Sequence, residues 1–153
     1  MRKLREAWYG ALPPSVNAIY KPGFHGRISL STEGRTYANR LRASLAGQWA
    51  ELDGLDPSGA FAVGVCSYMH GLEYDRSGHK TRKAKSRWRK VDASNLYKLV
   101  ADVVAEALGV DDSSSFDTMA SKRSVGRKED EFIHVVVFQL EERELTEEPK
   151  WAH

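Results

Sequence analysis

The chain has 153 residues, 41% hydrophobic and 29% charged, which suits one soluble globular domain with a core large enough to fold without staples. A single cysteine, Cys66, excludes a disulfide framework and any multi-cysteine zinc site, and no apolar window has the length of a signal-peptide core or a membrane-spanning helix. The net charge of +2 hides an asymmetry: residues 76–90, "RSGHKTRKAKSRWRK", hold eight of the 23 Lys and Arg and no acid, leaving 15 basic against 21 acidic residues elsewhere. These totals predict a cytosolic protein with no membrane association.

In chain order, "KLREAWYGAL" mixes charged and aromatic residues and reads as a first strand. "PPSVN" stops it, because proline lacks a donor and fixes its backbone angle. "AIYKPGFHGRISLS" reads as a loop or irregular hairpin. Ser31 or Thr32 can cap the next element, in which Tyr37, Leu41, Leu45 and Trp49 recur every four residues and predict an amphipathic helix. After the turn-rich "DGLDPSG", the run "AFAVGVCSYMH" predicts a buried strand, with Cys66 a small core residue or, less simply, a nucleophile. The basic segment follows, then a second helix from about residue 92 to Gly109, then the strands "SFDTMASKRSV" and "EFIHVVVFQL" joined by "GRKED". Residues 141–153 read as an acidic, flexible tail after a domain spanning 1–140. The order predicts a single α+β domain, two main helices packed on a mixed β-sheet.

A dense positive segment on an otherwise acidic chain favours a polyanion partner, although a solvated basic loop has the same composition. Trp88 within it suits stacking on a base or packing at the root of the loop.

Chemistry concentrates in "KVDASNLYKLVADVVAEALGVDD", residues 90–112. At about 100° per residue, Asn95, Lys98, Asp102 and Glu106 fall on one stripe about 80° wide, and the apolar residues fill the opposite side. Asp92 or Ser94 suits a helix cap, and Gly109 a helix stop. Asp111 and Asp112 then face the negative end of the helix dipole, a position that needs either water or a cation. Hard oxygen donors of this kind suit Mg²⁺ or Mn²⁺ more than zinc. Two readings stay open, a metal site or a pair of solvated helix ends. Lys98 likewise reads as a catalytic cation or as the i, i+4 partner of Asp102. The five histidines show no metal-ligand spacing, and His134 reads as a sheet residue. No nucleotide-binding loop, nucleophile elbow or zinc signature is present, so no nucleotide cofactor is expected.

Taken together, "LPPSVNAIY", "ISLSTEGRTYANRL", "VDASNLYKLVADVVAEAL", "GVDD" and "ASKRSV" resemble, in order, segments of the RusA-like Holliday-junction resolvases, endonucleases common in phages and prophages. The resemblance runs from about residue 10 to 140. It implies a homodimer in the host cytoplasm that cleaves four-way DNA junctions with Mg²⁺ (or Mn²⁺) in recombination and repair. By position it implies Asp92 and Asp112 as metal-holding catalytic acids, Lys98 as the catalytic lysine, and Asp111 and Asp102 as further acids. Ser94 stands where the family pattern has its second aspartate and suits a metal only through water. In the same reading Arg87, Arg89, Lys90, Lys122 and Arg123 contact DNA. Cleavage of other branched DNA, and binding without cleavage, are the alternatives.

Overall fold

A computed structural model describes residues 1–50, 56, 58–73 and 91–148, apart from the side chains of Val16, Asn17, Phe24, Asp112 and Phe116. Strand β1 (Arg2–Tyr9) leads to a single helical turn, α1 (Val16–Ile19). A small hairpin follows, β2 (Tyr20–Pro22) paired antiparallel with β3 (Ile28–Leu30). His25 and Gly26 at its tip take the left-handed region, which reverses the chain in few residues.

Helix α2 (Thr32–Gln48) starts where the sequence places a cap: the Ser31 hydroxyl accepts from the Gly34 N–H at 3.0 Å. The same hydroxyl donates to the Ala18 carbonyl, and the Ser31 N–H donates to the Ile19 carbonyl at 2.6 Å. One serine thus begins α2 and fastens α1 to it. Gly34 completes the joint, because a Cβ there would stand 2.9 Å from the Ile19 carbonyl oxygen. The two N-terminal segments of the resemblance are therefore two halves of one contact.

Strand β4 (Phe61–His70) and helix α3 (Ala93–Leu108) are followed by β5 (Ser115–Val125) and β6 (Phe132–Gln139). The sheet order is β1-β6-β4-β5, with β5 parallel to β4 and the other pairs antiparallel. The sheet is therefore mixed, as expected. The joined strands β5 and β6 are not neighbours, since β4 lies between them. A parallel β4–β5 pair needs a crossover, and α3 is that crossover.

Helices α2 and α3 share one core with Ala7, Phe61, Val63, Val65, Ile133, Val135 and Val137, alternate residues of three strands that point to one face. Leu41 and Leu45 of α2 and Val100 and Val104 of α3 are completely buried there. The Tyr37 hydroxyl donates to the Ala11 carbonyl at 2.9 Å, and burial pushes its pKa well up. Arg42 on α2 reaches the Glu106 carboxylate on α3, tying the helices on their exposed side. The other face carries the stacked pairs Trp8–His134 and Tyr68–Phe132. Among the described residues no helix is long and apolar enough to cross a membrane.

Candidate functional site

The cap that starts α3 is Asp92. Its carboxylate accepts from the Ser94 N–H at 3.0 Å. The Ser94 hydroxyl donates to the same carboxylate, and together with the backbone bond and nearby Lys122 it holds Asp92 below the usual carboxylate range. Asp92 is ionised throughout the neutral range, and Ser94 supports this acid instead of supplying a second one. Lys122, on the helix-facing side of β5, donates to the Val91 carbonyl and so pins the N-terminal end of α3 to that strand.

Two turns of α3 follow along its exposed stripe. Asn95 and Lys98 are exposed and Asp102 is half exposed. Lys98 Nζ lies 3.6 Å from Asp102 Oδ2, so the i, i+4 pair does form. Its cation precedes its anion, the weaker order on a helix, and both groups face water. Such a pair contributes little to stability and leaves the ammonium available to an anion.

Gly109 ends α3 in the left-handed conformation, its N–H donating back to the Glu106 carbonyl at 3.0 Å. Asp111 then accepts from the Ser113 N–H at 2.8 Å and opens the single 3-10 turn Asp112–Ser114. The side chain of Asp112 lies outside the described residues, as do Arg87, Arg89 and Lys90 entirely. Arg123 is exposed on β5, its guanidinium donating to the Lys122 carbonyl at 2.8 Å.

Between α3 and the β4–β5 edge runs a groove of about 400 Å³. Lys98, Ala101, Asp102, Ala105 and Asp111 line it on one side, with Phe61 and Val63 of β4 beneath. Three of the expected site residues therefore share one concavity, and Asp92 is not among its lining. Nothing in the sequence pattern foretold the groove, because its floor comes from β4 and its wall from α3.

The distance along α3 decides what these acids can do. Sixteen residues at about 1.5 Å each separate Asp92 from Gly109 by roughly 24 Å. One ion with oxygen donors at about 2.0–2.6 Å cannot touch Asp92 and Asp111 of the same chain. Among the described residues no group of three or more His, Cys, Asp or Glu is placed to hold a metal ion.

No family model matches the chain, and no curated protein matches it significantly. The resemblance thus gains no family assignment. The expected picture of a magnesium-dependent, DNA-binding junction resolvase with roles in recombination and repair is corrected: among the described residues no group of acids is placed to hold a metal ion, and neither a family model nor a curated protein matches the chain.

Proposed function

We propose that the chain is an endonuclease for branched DNA, four-way junctions above all, that acts with a divalent cation and only as a pair of copies. The observation that supports this is the polar line along the exposed side of α3: Asp92, Asn95, Lys98 and Asp102, continued by Asp111. These are oxygen donors and one ammonium along one line, even though Asp92 also caps α3, Asp111 accepts from the following turn and Lys98 pairs with Asp102. The basic segment 76–90 adds the positive charge that a phosphate backbone attracts.

A two-fold axis perpendicular to α3 runs the α3 helices of two chains in opposite directions. The Asp92 end of one then lies beside the Asp111–Asp112 end of the other, and the symmetry makes two such places, one for each DNA strand to be cut. The donor set of each place, carboxylates with a serine behind them, suits Mg²⁺ or Mn²⁺. Either ion, when bound, polarises the phosphate and lowers the pKa of an attacking water.

The protein groups have distinct tasks. Ser94 keeps Asp92 ionised and aimed. Lys98 stabilises the charge that grows on the phosphate oxygens as the bond breaks. Lys122 fixes the end of α3 that carries Asp92, and Arg123 with the basic segment holds flanking phosphates.

The test is a labelled four-way junction beside a linear duplex, with Mg²⁺ or chelator, and an Asp92→Asn, Asp112→Asn double variant in parallel. Metal-dependent nicks in the junction, absent from the variant, are expected. A second reading rests on the Asp92 carboxylate being engaged by Ser94, as in a junction-binding protein without chemistry. Tight binding with no cleavage in Mg²⁺ or Mn²⁺ would favour that one.

A further inference from the structure

The cations of the described residues fall into two groups. Lys3, Arg42, Lys98, Arg127 and Arg143 each form an ion pair with a carboxylate of this chain. Lys21, Arg27 and Arg40 form none among the described residues, and all three are exposed. The sequence shows the same division. Residues 7–50 hold five Lys and Arg and one carboxylate, Glu33, whereas residues 91–148 hold six against fourteen. Cations gathered without carboxylates raise a local positive potential, which a polyanion relieves.

The fold brings these cations onto one surface. Tyr20 and Leu30 pack on the core, so Lys21 and its cross-strand partner Ser29 project outward from the hairpin. Arg27 stands two residues before Ser29, a diagonal neighbour of Lys21 at about 7–8 Å. Its carbonyl accepts from the Gly23 N–H at 2.5 Å, a closure that a side chain at Gly23 would obstruct, since a Cβ there would stand 2.6 Å from the same oxygen. Arg35, in the first turn of α2, donates to the Leu30 carbonyl at 3.2 Å and so joins the hairpin to the helix. Arg40 continues the surface along α2, beside the small exposed residues Thr36 and Ala43.

This surface lies toward the Asp92 end of the sheet. The Tyr37 hydroxyl meets Ala11, beyond the end of β1. At the other end of α2, Gln48 exchanges two hydrogen bonds with the Trp8 backbone, at 3.1 and 2.8 Å, and the Trp49 indole donates to the Glu6 carbonyl at 3.0 Å. Helix α2 therefore starts near the Tyr9 end of β1. Tyr9 is level with Ile133, Ser67 and Lys122 across the sheet, and Lys122 holds Val91, next to Asp92.

We infer that the β2–β3 hairpin and the outward side of α2 hold the phosphate backbone of a DNA duplex, one arm of the branched substrate, through Lys21, Arg27, Arg35 and Arg40. This rests on the proposed function for the identity of the polyanion, and adds where an arm of it lies. The arm passes beside the end of α3 that carries Asp92. The exposed positions of α2 include no aromatic side chain on which an unpaired base could stack, so the contact is with phosphates and carries no base preference.

The test is the affinity of the full chain for a labelled linear duplex as a function of salt, in chelator so that cleavage plays no part. Each neutralised phosphate contributes about 0.9 to the slope of log affinity against log salt. A Lys21→Ala, Arg27→Ala, Arg40→Ala triple variant should bind more weakly, on the order of tenfold or more, and lower the slope by about 2–3, alike for duplexes of different sequence. Its melting temperature should match the wild type, because none of the three has an ion pair to lose. Arg143→Ala, at the other end of the sheet and already paired with Glu141, should change neither affinity nor slope. An unchanged slope in the triple variant, a wild type that binds no duplex, or loss of binding to phosphatidylserine vesicles with duplex binding intact would each overturn the inference. Junction cleavage by the same variants in Mg²⁺ separates it from the reading it rests on. A chain that holds duplex through these cations yet leaves junctions uncut upholds the surface and sinks the nuclease reading. A chain that cuts junctions, with duplex affinity and slope indifferent to all three cations, does the reverse.

Discussion

Separate Asp92→Asn and Asp112→Asn variants give a test that a single-chain site and a shared site answer in opposite ways. Asp92→Asn should fold, because an asparagine side chain caps a helix as well as an aspartate and still accepts from the Ser94 N–H. Asp112 begins the 3-10 turn beyond α3, next in sequence to Asp111, so a neutral residue there lowers the negative charge past the helix C-terminus. Each variant alone should leave junctions intact, since every site lacks one carboxylate. In an equal mixture that exchanges subunits freely, about half the dimers are mixed. Each mixed dimer has one site with both wild-type acids and one with neither. About one quarter of all sites therefore work, and each acts alone on its dimer. The junction assay should show single nicks at about a quarter of the wild-type rate and few paired cuts. If both acids served one site within a chain, the mixture would be as dead as its parents. That result, with mixed dimers demonstrated by affinity tags, would refute the roughly 24 Å argument from α3.

Further expectations concern the joints that hold the site. Gly34→Ala should destabilise by about 1–3 kcal/mol although alanine is the better helix former, because packing against Ile19 outweighs propensity; a raised denaturant midpoint would refute this. Trp49→Phe removes one hydrogen bond to the edge strand and should cost about 0.5–1.5 kcal/mol, read as a melting temperature lower by a few degrees. Asp92 titrates below the usual aspartate range, so its contribution as an ionised cap is complete above that range and is lost as pH falls through its own lower pKa. The wild type should therefore lose stability in acid relative to Asp92→Asn, whose amide does not titrate, and a difference independent of pH would show that the cap is not ionised.

Much of the fold was legible because local signals agreed with one another. Ser31, Asp92 and Gly109 are helix boundaries in the structure as in the sequence, since capping depends on neighbours within a few residues. The strands near 61–70, 115–125 and 132–139 follow from β-branched and aromatic runs between turn residues. The order β1-β6-β4-β5 was not legible, because it depends on which buried faces meet across the chain and not on any one segment. The site shows the same division. The wheel correctly put Asn95, Lys98 and Asp102 on one exposed edge of α3, which is a local fact. Asp92 and Asp112 were joined by the resemblance and not by the wheel, and within one chain a capped helix holds its two ends roughly 24 Å apart. The groove floor, with Phe61 and Val63 beneath Lys98 and Asp111, joins residues from distant parts of the chain that no spacing rule links.

The amide of Gln48 and the indole of Trp49 on the outer side of β1 have a consequence for how far assembly can go. A sheet with two bare edges can add copies at both and grow into a filament without end. Here one edge is already satisfied by side chains of the same molecule. That limit is set at the C-terminal end of α2, by residues that line no part of the groove.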